Sequence, residues 1–295
     1  MNRLVVVATA LAVALTGPAL AARKMIQVKG SDTLVNLVQS WAEAYMEATG
    51  TFVAVTGGGS GTGIAALIDG KAQVADSSRK IKEEEIELAR KNGVDPVEVA
   101  VAVDGLCVIV NEKNPVARLT VEEVGRLFRG EVPHWKALGG PDAPVTLYGR
   151  QSNSGTYVFF QEHVLGQRDY AQTMNRMNGN AQIVEAVRKD VSAVGYVGIG
   201  YVLGEDGKVV GGLKAVDIVP ADGGPAVSPL DREAVEAGRY PLARALYQYT
   251  NGKPRGDVAA FLSFELSEAG QRIAEEQGFY PVGGELARRN EEALK

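Results

Sequence analysis

The chain of 295 residues has a single cysteine, Cys107, and only two histidines, His134 and His163. One cysteine makes no internal disulfide, so the fold must hold by packing alone. Cys107 lies in the apolar run Gly105 to Val110 and is expected to be a buried small side chain rather than a nucleophile. No metal-ligand spacing links the two histidines, so both are expected to be structural or exposed, and no metal or other cofactor is expected. Beyond the first residues no apolar run reaches the roughly 18 residues that a membrane-spanning helix needs. Cations are in the minority, with 31 Lys and Arg against 36 Asp and Glu and a formal charge of −5. Nucleic acid and anionic membrane both reward clustered Lys and Arg, so neither is favoured as a partner. Internal repeats and linkers rich in Pro, Gly or Ser are missing too.

What is present is a globular composition, 45% hydrophobic and 23% charged, enough for one large or two medium domains. Arg3, the apolar run Leu4 to Leu15 and the small-x-small triplet Ala19-Leu20-Ala21 read as a secretory signal peptide over residues 1–21. Its removal deletes one arginine and no acid, taking the formal charge to −6. No cysteine lies near the cleavage site, so no lipid anchor on cysteine is expected.

Strand and helix patterns alternate along the chain, predicting an α/β architecture with mainly parallel sheets. Ile26 to Lys29 is strand-like, and Leu34, Leu37, Val38, Trp41 and Tyr45 keep helical spacing up to Gly50. Phe52 to Thr56 is the next strand and Ile64 to Asp69 a short helix. Ala72 to Ala75 and Val97 to Val110 are further strands, separated by a charged helix near Lys82 to Lys91. Thr120 and Glu123 have capping-box spacing. Pro144 to Gly149, Val194 to Val202, Leu213 to Val219 and Leu242 to Tyr249 read as strands. Tyr157 to Leu165 and Val258 to Glu276 read as helices, the latter with a break at Ser267.

Three strand-to-helix junctions share one chemistry. They are Lys29-Gly30-Ser31-Asp32-Thr33, Gly57-Gly58-Gly59-Ser60-Gly61-Thr62-Gly63 and Gly149-Arg150-Gln151-Ser152-Asn153-Ser154-Gly155-Thr156. Each sets glycine and hydroxyl residues at a helix start, where free backbone N–H groups and the positive end of the helix dipole favour an anion. Ser and Thr also serve simply as caps and Gly as a turn former, but strand ends in open α/β sheets gather along one edge, so three such junctions can converge on one crevice. Arg150 adds a guanidinium suited to a tetrahedral oxyanion. Nucleotide and hydrolase motifs fit poorly. Gly61-Thr62-Gly63-Ile64-Ala65-Ala66 matches a dinucleotide fingerprint only weakly, Gly70-Lys71 lacks the P-loop glycine, and Gly58-Gly59-Ser60-Gly61-Thr62 misses the last glycine of a nucleophile elbow.

The segments Gly30-Ser31-Asp32-Thr33-Leu34, Asp76-Ser77-Ser78-Arg79, Gly149 to Thr156, Val194-Gly195-Tyr196-Val197-Gly198, Tyr240-Pro241-Leu242-Ala243-Arg244 and Tyr249-Thr250-Asn251-Gly252-Lys253-Pro254, taken in order, resemble the substrate-binding proteins of phosphate ABC transporters. The resemblance runs from about Ile26 to Val282. It implies a two-lobed periplasmic-binding-protein fold of type II with a two-strand hinge. It also implies a monomer without enzymatic activity that captures inorganic phosphate in the periplasm and delivers it to a membrane permease. Lobe I would comprise residues 22–100 plus 245–295 and lobe II residues 101–244, joined near Val99 to Val103 and Leu242 to Tyr249. By matching position Thr33, Ser60, Ser78, Arg150, Ser154, Gly155 and Thr156 would contact phosphate, with Ser31 and Arg79 as neighbours in the same motifs.

Hydrogen phosphate carries a proton near neutral pH and sulfate does not, so a carboxylate in the site accepts from the first and repels the second. Some relatives of the resembled family place acids where this chain has Ser78 and Ser152. Asp32 is the expected substitute acceptor and Asp76 the second choice. Two alternatives stay open: a site for another oxyanion such as sulfate, molybdate or tungstate, and an exported phosphate sensor or phosphatase.

Overall fold

The computed structural model describes residues 25–204 and 206–295, so the expected signal peptide of residues 1–21 lies outside the described residues. Strand β1 (Ile26–Gly30) is followed by α1 (Val35–Thr49), which buries Leu37, Val38, Trp41, Ala42 and Tyr45 on one face. The helix stops where Gly50 adopts a φ of 70° and its N–H returns to the Met46 carbonyl. Next come β2 (Val53–Thr56), α2 (Ser60–Ile68), β3 (Val74–Ser77), α3 (Glu83–Lys91), β4 (Pro96–Gly105), β5 (Cys107–Asn111) and β6 (Arg118–Thr120). The expected capping box opens α4 (Val121–Phe128): the Glu123 N–H donates to Thr120 Oγ1 at 3.1 Å and the Thr120 N–H to Glu123 Oε2 at 2.8 Å. The chain continues through β7 (Thr146–Arg150), α5 (Gly155–His163), β8 (Asn175–Met177), α6 (Asn180–Lys189), β9 (Ala193–Val197), β10 (Leu213–Ala215), β11 (Asp217–Val219), α7 (Arg232–Glu236) and β12 (Ala243–Asn251). It finishes with α8 (Gly256–Glu265), α9 (Glu268–Glu276) and α10 (Gly284–Leu294), Ser267 capping α9 at the expected break.

Two five-stranded sheets result, ordered β2-β1-β3-β12-β4 and β10-β5-β9-β7-β8, with β11 and β6 as a separate pair. Both are mixed rather than mainly parallel: β1 pairs parallel with β2 and β3, and β7 with β8 and β9, whereas β12 and β5 pair antiparallel with their neighbours. The antiparallel strands are those that follow the two passages between the sheets, so direct return pairing replaces a helical crossover there. The apolar stretch Val97 to Val110 is accordingly two strands. β4 stays in the first sheet, the chain crosses at Leu106, and β5 enters the second; the return crosses beside it, the Leu106 N–H donating to the Leu242 carbonyl at 3.2 Å. The run Leu213 to Val219 divides likewise between β10 and β11, and Ile199–Tyr201 turns into a short 3-10 helix after β9.

Core packing bears out the reading of Cys107: it is fully buried in β5, and desolvation raises its thiol pKa, which leaves it a packing residue. Beneath the second sheet Phe160 stacks on Tyr196 with centroids 4.1 Å apart, and Phe128 meets Tyr196 edge-on at 5.3 Å.

β4 is last in its sheet, and its open side is covered by a backbone bridge between Val103 and Tyr280 and by side chains. The Asn290 amide of α10 accepts from the Ala100 N–H at 2.9 Å and donates to the Ala100 carbonyl at 2.7 Å, taking the place of a strand partner. This occurs beside the bulge where the register with β12 shifts between Leu246 and Tyr247. Asn290→Leu should therefore lower unfolding stability by about 3 kcal/mol, since it leaves two buried backbone groups unpaired. Urea denaturation checks this, and a loss under about 1 kcal/mol contradicts it.

Candidate functional site

β2, β1 and β3 lie side by side and run in parallel, so their C-terminal ends deliver three short loops to one edge of the first sheet. Those loops carry Ser31 and Thr33, Ser60, and Ser78. β7 of the second sheet ends at Arg150, and the turn after it opens α5 with Ser154, Gly155 and Thr156. The three junctions converge as the sequence suggested. Thr33 Oγ1 lies 3.0 Å from Thr156 Oγ1, Ser78 Oγ 3.3 Å from Thr156 Oγ1, and Ser60 Oγ 3.4 Å from Ser78 Oγ. All four hydroxyls are buried. Ser154 caps α5, its Oγ accepting the Tyr157 N–H at 3.4 Å, and the first turn of α5 turns its N–H groups toward this cluster. α2 starts opposite, behind Gly59, whose φ of 91° and closeness to the Asn153 carbonyl leave no room for a side chain.

Arg150 is 1% exposed. Its Nη2 donates to Asp32 Oδ2 and, at 2.7 Å, to the Asn178 carbonyl, while its buried Nε has no partner among the described residues. A buried guanidinium with an unused donor and a cluster of buried hydroxyls have the chemistry to hold an acceptor-rich anion.

Two sequence expectations, for Arg79 and Asp76, are corrected by this geometry, and the one for Asp32 is refined. Arg79 does not enter the cluster: its guanidinium forms a two-point contact with Glu85, at 2.8 and 2.6 Å, because α3 brings that carboxylate back over it. Asp32 is not an idle acceptor, since Oδ1 takes the Gly58 N–H at 2.8 Å and Oδ2 takes Arg150. It also bridges the sheets, and its carbonyl accepts from Tyr201 Oη at 2.6 Å and Asn180 Nδ2 at 3.3 Å. Asp76 points into the interior of the first lobe, where Gln248 Nε2 donates to it at 3.0 Å and to Glu265 at 3.1 Å. Ser31 is placed more modestly, its Oγ accepting the Thr33 N–H at 3.2 Å and so shaping the turn.

Burial pushes Asp76 up from 3.8 to about 7, with the Gln248 bond pulling the other way, and Glu265 beside it is raised by burial as well. A carboxyl raised in the fold keeps a proton that the unfolded chain gives up, so its contribution falls as pH climbs from about 4 to about 7. Asp76→Asn should hence stabilise the protein more at pH 8 than at pH 5, with a ceiling of about 3 kcal/mol for the difference. Thermal melts at the two values check it; an equal effect at both removes the titration from Asp76.

Two side chains that sequence reasoning passed over complete the surroundings. Asp104, at the end of β4, and Arg244, at the start of β12, face one another in register and form a buried ion pair at 2.8 Å. Asp104 Oδ1 also accepts the Ile199 N–H at 2.9 Å. The signal for Arg244 was its place inside Tyr240 to Arg244, a segment carrying the resemblance but assigned no contact.

The chain matches the PBP superfamily domain over residues 16–269. It is 34% identical over 284 residues to the phosphate-binding protein PstS of Pseudomonas aeruginosa, covering 90% of this chain and 84% of that one. It is 30% identical over 262 residues to the phosphate-binding protein PstS of Bacillus subtilis, covering 87% and 80%. A proposed phosphate ABC transporter substrate-binding protein from Clostridium perfringens, solved with bound phosphate, superposes with a TM-score of 0.76 at 27% identity, covering 88% of this chain and all of that one. An ABC-type phosphate transport receptor from Vibrio cholerae superposes with a TM-score of 0.68 at 27% identity, covering 87% and 100%.

Proposed function

The chain belongs to the PstS family of the PBP superfamily, with its two-lobed type II binding-protein fold, and from this we propose that it captures inorganic phosphate between its lobes and delivers it to an ABC permease. The observation that carries the reading is the buried Arg150, its Nε without a partner among the described residues, together with four buried hydroxyls contributed by both sheets. Phosphate oxygens accept from these donors, and charge-assisted bonds of this kind contribute about 1.5 to 3 kcal/mol each. Thr33, Ser60 and Ser78 come from one lobe and Arg150, Ser154, Gly155 and Thr156 from the other. Full coordination therefore requires closure, and the ligand shifts the hinge toward the closed state. We place the hinge at Leu106 and Leu242, where the chain passes between sheets, a few residues from the boundaries read in the sequence. The protein acts outside the cytoplasm as a monomer, and capture involves no chemistry on the ligand.

The test is calorimetric titration with phosphate, then sulfate, at neutral pH, after unfolding and refolding to strip any carried anion. One-to-one phosphate binding is expected; none would overturn the reading. A second reading, a site open to other tetrahedral oxyanions, draws on the engagement of both bordering carboxylates. Asp32 and Asp104 each have both oxygens on protein donors, which makes each a weaker acceptor for the phosphate proton than a free carboxylate. Sulfate affinity within tenfold of phosphate supports that second reading. Hydrolysis of a chromogenic phosphate ester would contradict capture without chemistry.

A further inference from the structure

We propose that Arg244 is a positioning residue of the anion site: it fixes the direction in which the Thr156 hydroxyl donates and ties that hydroxyl to the hinge strands. The inference rests on the phosphate-capture reading and adds a residue to it. Arg244 is 6% exposed, and its guanidinium is divided among three partners. Nε and Nη2 donate to Asp104 Oδ2 at 3.0 and 2.8 Å, Nη1 donates to the Ser78 carbonyl at 3.0 Å, and Nη2 donates to Thr156 Oγ1 at 2.9 Å. The Phe159 ring of α5 lies under the guanidinium, 5.1 Å from centroid to Cζ.

A guanidinium only donates, so it occupies a lone pair of the Thr156 oxygen. The single hydroxyl proton is then directed away from Arg244, toward the space shared with Thr33 and Ser78. Without Arg244 that hydroxyl could rotate and serve as an acceptor toward either neighbour. With it, Thr156 is preorganised as a donor to an anion, and no reorientation is needed on binding. The same side chain joins the moving parts. Ser78 and Asp104 belong to the first sheet and its loops, Thr156 and Phe159 to α5 on the second, and Arg244 itself sits two residues after the return crossing at Leu242. Asp104 mirrors this by holding the Ile199 N–H that follows β9. A buried ion pair serving the hinge alone has no need of the bond to Thr156.

The experiment is a double-mutant cycle on phosphate affinity with R244K, T156V and the two combined, each also melted without phosphate. Lysine keeps the charge and can reach Asp104, but lacks the planar fork that serves Ser78 and Thr156 together. Each single variant is expected to bind phosphate at least tenfold more weakly, and the double no more than about threefold more weakly than the worse single. R244K within twofold of wild type, or losses that multiply in the double, would overturn the proposal and leave Arg244 a hinge strut. Should R244K fail to fold, the same cycle is run with R244Q in a D104N background, which removes both buried charges together, and the same outcomes decide. Failure of the wild-type protein to bind phosphate is a separate result, which overturns the ligand reading and this proposal with it.

Discussion

Arg150→Ala should weaken phosphate binding by about 3 to 5 kcal/mol, a loss of more than a hundredfold in affinity. Three effects point the same way. The cation facing the ligand disappears, the unpartnered Nε no longer donates, and Asp32 keeps its negative charge at the site without its partner. That last term makes the alanine variant worse than a simple loss of contact, because a stranded carboxylate repels the anion it formerly helped to position. Arg150→Lys should recover part of the charge but not the Nε donor, which has no partner among the described residues, since an ammonium has one nitrogen where the guanidinium has three. Calorimetry on the refolded variants checks this. An Arg150→Ala loss below about 1 kcal/mol removes Arg150 from direct contact with the ligand.

Local signals made most of the site legible. Glycine and hydroxyl residues at helix starts are prescribed by backbone geometry within a few residues, so the amino-acid sequence alone locates the junctions holding Thr33, Ser60 and Ser154 to Thr156. Asp104 and Arg244 escaped because nothing nearby requires them. Each is a buried charge at the end of a strand, and each is compensated by a partner 140 residues away. The same separation explains Asp32. Its position in a helix-start motif suggested a ligand acceptor, but gave no sign that it also holds Arg150, 118 residues along the chain. Arg79 shows the converse, a residue correctly placed near the site by its motif and then turned aside by Glu85, six positions later. Strand direction was also beyond reach. Alternation of strand and helix implies parallel pairing only while the chain stays in one sheet, and the apolar stretch from Val97 to Val110 carries little sign that Leu106 leaves one sheet for the other.

Gly155→Ala should abolish tight binding while leaving the unliganded protein folded. A Cβ at this position would lie 2.3 Å from Ser60 Oγ, 3.0 Å from Ser60 Cβ and 2.8 Å from Ser78 Oγ. Its backbone conformation is one that alanine adopts without strain, unlike the φ of 91° at Gly59, so the whole effect is steric. The obstructed hydroxyls, which the phosphate-capture reading makes ligand donors, come from loops of the first sheet, and the methyl group comes from α5 on the second. The molecule can therefore relieve the overlap by opening its hinge, and the cost falls on the closed state. Overpacking of this kind costs about 1 to 3 kcal/mol, and displacing the Ser60 and Ser78 hydroxyls removes about 1 kcal/mol more for each bond lost. The sum corresponds to at least a hundredfold loss of phosphate affinity. Small-angle scattering with and without saturating phosphate separates this from general damage. Wild type should contract on adding the ligand, and Gly155→Ala should keep its extended dimensions with a melting temperature close to that of unliganded wild type. Contraction of the variant at ordinary phosphate concentrations would mean that Ser60 and Ser78 yield to the methyl group, and that this contact does not limit closure.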